Sequence, residues 1–403
     1  MVFTKKKIWF SSVALFILVY SINFMGYRDY FPLFLLPVLG ILMIRSKLSK
    51  WFLITQIVLL AFLVCYCLMA LYYGYFSFFA ILGRLIYPSM FMLIGYYVAG
   101  FDTPKNLKSF SILILLITGS TLYGMFSLIK TINLYGSYEN VMSALGGRLI
   151  EDLWGNSYIS ATVLNSSVSL GLSLLGLLFI KSNDLAPNKR ILKIAILSIF
   201  LASIYTSATL GNRTGIITVI VSFFTIFLLK LNSNIKGIIR LIVFIISLYI
   251  LKLLFFNLNT FGVRSYWESS FIFSRFENSK VYDDPRYEAW TTIIRNFNEN
   301  LLGGRQINLS VNFAHNLWLD VFYDAGIFPL IFLVIFTIIS LISLFKLLKL
   351  ELPNIYKGLV IGLYTAFFLT FAVEPILQGF VVYFTFFCFL IGIIQRKLTS
   401  ATY

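Results

Sequence analysis

Apolar residues occur along this chain in long blocks separated by short polar connections. A helix needs roughly 17 to 25 apolar residues to cross a bilayer, and about a dozen stretches qualify. In the first half they run Ile8 to Met25, Tyr30 to Ile44, Trp51 to Tyr73, Phe78 to Ala99, Leu107 to Ile129 and Ile159 to Ile180. In the second half they run Ile191 to Ser207, Thr214 to Leu231, Gly237 to Asn257, Phe322 to Phe345, Ile355 to Ala372 and Ile376 to Ile394. The pattern predicts an all-α polytopic integral membrane protein of about 12 transmembrane helices. Nine fall in residues 1–257 and three in residues 322–403, with a large loop over 258–321 between them.

Basic residues then assign the two sides. Lys5 to Lys7, then Arg45, Lys47 and Lys50, then Lys105 and Lys108, then Lys181, Lys189 and Arg190 mark alternate connections. Lys230, Lys236 and Arg240 continue the series, as do Lys346, Lys349 and Lys357, and finally Arg396 and Lys397. Loops rich in Lys and Arg stay in the cytoplasm, so both termini are expected there. No small-residue cleavage site follows the first apolar run, and that span is expected to stay attached. The connections over 130–158 and 258–321 accordingly face outward. The first, with Arg148, Glu151 and Asp152 as its ionisable group, reads as a solvated loop able to cover part of a cavity.

Polar chemistry concentrates in residues 283–329. Asp284-Pro285 is a helix start, with the aspartate as N-cap and proline at the first helical position, and Gly303-Gly304 is a stop. Trp290, Ile293, Ile294, Phe297 and Leu301 recur near helical spacing, which predicts an apolar face lying along the membrane surface with Arg286 at its head. A second helix is expected after Asn312 as its cap, with His315, the one histidine in 403 residues, in the first turn. Asn316, Asp320, Tyr323 and Asp324 form a polar stripe beside it. Asp320 and Asp324 are suited to orienting His315 or an acceptor hydroxyl, and equally to solvation at a helix end.

Composition narrows the class. Hydrophobic residues make up 59% of the chain and charged residues 12%, too few to keep its surface in water. A net charge of +16 would suit nucleic acid, but its clustering between apolar runs assigns it to topology, and no nucleic-acid partner is expected. Cys65, Cys67 and Cys388 lie inside apolar runs and lack the spacing of a metal site. Asp283 and Asp284 are adjacent rather than convergent, and Glu139, Glu151 and Asp152 have no histidine nearby, so neither metal nor cofactor is expected. Nucleophile-elbow and phosphate-cradling glycine motifs do not occur.

Two more arginines draw attention by position. Arg213 sits in a tight turn between two spans, in TLGNRTGIITV, and Arg84 lies about two turns inside a membrane helix, in FAILGRLIYPSM. A charge within hydrocarbon is costly unless paired or facing water, which marks Arg84 as a candidate for substrate binding or for packing through helix carbonyls.

TLGNRTGIITV, DPRYEAW and AHNLWLDVFYDAGIF, in a chain of a dozen expected spans with one large outer loop after the ninth, resemble the O-antigen ligase and O-antigen or capsule polymerase (Wzy-type) superfamily. The resemblance covers the whole expected topology, while the motifs are confined to those three places. It implies a GT-C-like glycosyltransferase architecture in the bacterial cytoplasmic membrane. An outward-facing cavity would there transfer a glycan from undecaprenyl pyrophosphate to an acceptor sugar, without a metal. By motif match it places catalytic roles on Arg213, Arg286 and His315. Arg305, Asn316 and Asp320 join Arg84 as candidate substrate-binding residues. Implied partners are the lipid-linked oligosaccharide, membrane lipid, a chain-length regulator and a repeat-unit flippase.

The residue types suit that chemistry. Guanidinium groups offer paired, permanently charged donors for a diphosphate leaving group, and His315 has the side chain whose ordinary pKa suits removal of a hydroxyl proton near neutral pH. Three classes of function stay open: a polymerase of lipid-linked repeats, a ligase moving finished polysaccharide to lipid A core or another acceptor, and a transporter in which the arginines hold an anionic lipid head. Against transport, no inverted repeat marks two halves.

Overall fold

The protein is described from a computed structural model covering residues 2–26, 28, 48–103, 107–145, 148–155, 157–180, 189–228, 246, 249–250, 252–268, 273 and 284–401. Long helices dominate: α1 (Val2–Ser21), α2 (Lys50–Tyr72), α3 (Phe78–Ala99), α4 (Lys108–Tyr135), the short α5 (Tyr138–Leu145), α6 (Ala161–Leu172), α7 (Lys189–Thr209) and α8 (Arg213–Leu228). After the large loop come α9 (Pro285–Arg295), α10 (Leu317–Ala325), α11 (Ile327–Lys349), α12 (Asn354–Val373), the single turn α13 (Ile376–Gly379) and α14 (Val381–Ala401). Among the described residues eight helices are long and apolar enough to cross a membrane. The expected span Tyr30 to Ile44, and most of Gly237 to Asn257, lie outside the described residues.

Helix α3 matches its expected bounds because Ser77 caps it, accepting from Ala80 N, and Gly100 closes it. It packs along α14 at close range: a Cβ at Gly95 would strike the Phe389 carbonyl, and one at Gly392 the Met92 carbonyl. Small residues at such a seam let two backbones approach. Phe367, Phe371, Tyr383, Phe384 and Phe387 fill the adjoining core in tilted and edge-to-face pairs, and the buried Tyr383 hydroxyl finds partners in Ser169 and Thr370.

Three expected spans are revised. The run from Phe322 is broken at Gly326, whose φ of 82° no β-carbon would favour, so α10 stands apart from the membrane-length α11. The break is stitched from outside, by Ile327 N donating to Leu301 O (2.9 Å) and Gly304 N to Asp324 O (3.0 Å). The last run splits at Phe380 into α13 and α14, and the Ile159 to Ile180 run tightens after Leu172 into a 3-10 stretch, Leu175–Phe179.

The connection over 130–158 is not a solvated loop, and it brings β-structure into an expected all-α fold. Strands β1 (Leu149–Glu151) and β2 (Tyr158–Ser160) pair antiparallel, with Leu149 opposite Ser160. Asp152 is buried beneath them, accepting from Tyr123 Oη (2.6 Å), Asn23 Nδ2 (3.3 Å) and Trp154 N (2.8 Å). Strands of three residues are too short to leave an alternating pattern in sequence.

The two ends of the bundle differ in chemistry. At one, Lys397 pairs with Asp102 at 2.8 Å, Arg396 donates to Tyr96 Oη, and Lys346 lies over the Trp51 ring. At the other lie the hairpin, the turn before Arg213, α9, α10 and the bend between α12 and α14.

Candidate functional site

The site is assembled from three turns. Helix α7 ends at Thr209, Gly211 takes φ 63°, and Asn212 Oδ1 accepts from Gly215 N (3.1 Å), which starts α8 at Arg213. Arg148 Nη2 donates to Leu210 O (2.6 Å) and ties this turn to the hairpin. Asp284 caps α9 as expected, its Oδ1 accepting from Arg286 N at 3.0 Å with Pro285 at the first helical position. Its other oxygen, Oδ2, lies 3.5 Å from Arg213 Nη2.

Helix α9 ends at Arg295, before Gly303-Gly304, and its apolar face is divided, with Ile293 buried against protein and Ile294 exposed. Ile293 is buried with Ile307, Ala314, Phe322 and Tyr323, and the Phe297 ring stacks on Phe322 with centroids 4.3 Å apart. The short helix α10 is buried on two sides, with Leu317, Val321 and Ala325 in the main core and Phe322 and Tyr323 beneath α9.

His315 does not lie in a helical turn, and Asn312 is not the cap. Asn316 caps α10, its Oδ1 accepting from Trp318 N and Leu319 N (3.2 Å each) while its Nδ2 donates to Ala372 O (3.2 Å). Asp320 explains the displacement: its buried carboxylate accepts from Ala314 N (2.7 Å) and Asn316 N (3.0 Å), which fastens the chain on both sides of His315. Trp290 Nε1 donates to Ala314 O (2.5 Å) from α9. So held, His315 adopts φ 55°, a left-handed conformation costing a non-glycine residue about 1 kcal/mol. Burial first, and the Asp324 charge next, raise the Asp320 carboxyl above its ordinary value against the backbone N–H groups that lower it.

Glu374, at the end of α12 and followed by Pro375, joins the parts. Its Oε1 lies 3.7 Å from Arg286 Nη2 and its Oε2 lies 3.8 Å from His315 Nδ1. Asp284 thus anchors Arg213 and Glu374 anchors Arg286 and His315, and the two groups meet where Asp284 caps the Arg286 backbone. The side chains of Arg213, Arg286 and His315 are 27%, 28% and 25% exposed, enough for each to meet a ligand while anchored by an acid. His315 Nδ1 and Glu374 Oε2 are buried without a hydrogen-bond partner among the described residues, so the exposed quarter of His315 is the rest of its ring.

Four candidates stand elsewhere or act differently. Asn316 and Asp320 hold the loop. Arg305 Nε donates to the buried Asp324 Oδ1 (2.8 Å) and its guanidinium lies over Tyr75 (4.1 Å) and Phe313 (5.1 Å), so this partly exposed arginine is held by a short ion pair and aromatic rings. Arg84 binds the carbonyls of Leu377 (2.7 Å), Ala80 (2.9 Å) and Gln378 (3.1 Å), tying α3 to the turn that follows Glu374. Glu374 was not foreseen, although one acid beside proline between two apolar runs, AVEPIL, is a visible anomaly. No group of three or more His, Cys, Asp or Glu side chains placed to hold a metal ion occurs among the described residues.

No protein-family model matches the chain, and no curated protein matches it in sequence.

Proposed function

We propose that this protein is a surface-polysaccharide polymerase. It joins oligosaccharide repeats carried on undecaprenyl pyrophosphate at the outer side of the bacterial cytoplasmic membrane, within a twelve-span, GT-C-like frame. One observation carries the reading: Arg213, Arg286 and His315, from three elements and about a hundred residues of chain, converge through Asp284 and Glu374 at the bundle end opposite Lys397 and Arg396. Loops rich in Lys and Arg stay cytoplasmic, which turns the convergent end outward.

His315 takes the proton of an acceptor sugar hydroxyl through the exposed part of its ring. The hydroxyl oxygen bonds to the anomeric carbon of the lipid-linked glycan as the bond from that carbon to the diphosphate oxygen breaks, its electron pair leaving with the diphosphate. Attack opposite the leaving group inverts the anomeric centre. Arg213 and Arg286 meet the charge that grows on the diphosphate. Glu374, facing Nδ1, opposes the positive charge His315 acquires.

The test is elongation of a lipid-linked repeat by purified protein in detergent, without a membrane gradient, resolved by chain length on a gel. Long chains from wild type, and unextended repeat with His315→Ala or Arg286→Ala, are the expected result. Transfer only to a lipid A core acceptor would assign a ligase instead, and no bond formation by wild type would leave transport.

A further inference from the structure

Arg148 stands just before β1, beside the turn that leads into Arg213. Its backbone is fixed, the carbonyl accepting from Ala161 N (2.9 Å), and its side chain crosses to the Leu210 carbonyl, which Nη2 reaches at 2.6 Å. Arg213 follows Leu210 by three residues, so at most about 11 Å of chain separates the anchor of one guanidinium from the residue that carries the other. Among the described residues no carboxylate lies within ion-pair distance of Arg148, and its buried Nε has no hydrogen-bond partner. The acids of its own hairpin are taken up elsewhere: Glu151 lies 3.5 Å from Lys130 Nζ, and Asp152 accepts from Tyr123, Asn23 and Trp154. A buried N–H of a charged group is costly to leave unpaired, and one held so beside a candidate site calls for a role.

Counting charge shows what that role is. Asp284 offsets Arg213 and Glu374 offsets Arg286, so with His315 neutral, as a general base must begin, these groups sum to zero. A diphosphate joined at one end to lipid and at the other to sugar carries one negative charge on each phosphate, and a further one appears on the oxygen released from the anomeric carbon. Charge that develops during a reaction is best met by a donor already in place. A guanidinium has five N–H groups in a planar fork, and the Leu210 carbonyl occupies one of those on Arg148. We propose that Arg148 is a third guanidinium of the site, which binds the diphosphate of the prenyl carrier and meets the charge it gains as the sugar leaves. This inference rests on the transfer reaction proposed above.

Calorimetric titration of purified full-length protein in detergent with farnesyl diphosphate, a short-chain form of the leaving group, tests this. Arg148→Gln, whose amide is still a donor for the Leu210 carbonyl, should weaken binding about tenfold, the scale of one charge-assisted contact, and Arg148→Lys should recover most of the loss. A second measurement needs no variant. Phenylglyoxal labels arginine side chains of the wild type, and peptide mapping reads each position. Farnesyl diphosphate at about ten times its Kd should slow labelling of Arg148 about tenfold, while Arg264, paired with Glu268 on the surface, keeps its rate. Should Arg148→Gln not fold, the labelling decides alone. Unchanged affinity in a folded Arg148→Gln, labelling of Arg148 indifferent to the ligand, or equal protection by inorganic pyrophosphate, which lacks the prenyl tail, would overturn the assignment. The two readings also fail separately: binding that depends on Arg148 without elongation by wild type would keep this site and discard the polymerase, and full elongation by Arg148→Gln would do the reverse.

Discussion

Two buried acids at the same end of the molecule, Asp324 and Glu374, each stand beside an arginine, yet they are built in opposite ways. Asp324 is saturated: Arg305 Nε at 2.8 Å, Tyr66 Oη at 2.9 Å and Gln378 Nε2 at 2.6 Å all donate to it. Glu374 holds Arg286 and His315 at 3.7 and 3.8 Å, beyond hydrogen-bond reach, and its Oε2 has no hydrogen-bond partner among the described residues. A satisfied buried network specifies and stabilises structure, while an unsatisfied one survives where the surroundings impose it, most often at a functional site. The difference sorts the arginines. Arg305 locks α10 to the glycine turn before it, whereas Arg286 and His315 are kept close to a carboxylate without being consumed by it.

The sharpest break between the two acids is expected in stability. Asp324→Ala leaves Arg305 facing a buried gap and removes the acceptor from Tyr66 and Gln378, a loss of about 3 to 5 kcal/mol that thermal melting and size exclusion should report as failure to hold the fold. Glu374→Ala should shift stability by about 1 kcal/mol or less, since its partners are a quarter exposed and make no short bonds to it. Glycan elongation should instead pick out the open cluster while the fold stays intact. His315→Ala and Arg286→Ala are expected to lower the rate about a hundredfold or more with an unchanged melting temperature, the scale of a lost general base or charge clamp. Glu374→Gln, which keeps the shape and removes the charge facing His315, should cost about tenfold, the effect of one charge-assisted contact. A Glu374→Gln variant as active as wild type would reduce Glu374 to a packing residue.

Sequence alone reached unequal distances into these regions. Helix α3 was readable to the residue because a serine cap and a terminal glycine bracket one apolar run. The Asp284-Pro285 start was equally plain, since capping is a local event. The break at Gly326 was hidden, because bonds from Leu301 and Gly304 impose it across the fold on a run that reads as one span. His315 was found by its rarity but misplaced by several residues. Asn312 and Asn316 are both competent caps, and the choice was made by Asp320 drawing in Ala314 N and Asn316 N, a contact invisible to a local pattern. Glu374 was passed over for the same reason: its relation to His315 exists only through space.

The backbone of His315 offers a smaller test of the same contrast. At φ 55° a glycine is at ease where alanine is strained, so His315→Gly should be about 1 kcal/mol more stable than His315→Ala while both lack activity. Equal stability of the two would mean that the loop relaxes once the imidazole is gone, and that the strain belongs to the side chain's contacts rather than to the fastening.

The smallest expected effect concerns Asp320, which belongs with Asp324 on the structural side. Folding raises its carboxyl above the ordinary value, through burial first and Asp324 next. A carboxyl raised on folding binds its proton more tightly in the native state, so its share of stability is complete below the unfolded value and is lost as pH climbs through the folded one. The melting temperature should therefore fall across that rise. Asp320→Asn cannot titrate. It gives up one of the two acceptor oxygens and begins less stable, but its melting temperature should no longer carry that slope. A slope that persists unchanged in Asp320→Asn would show that Asp320 is not the group that responds to protons.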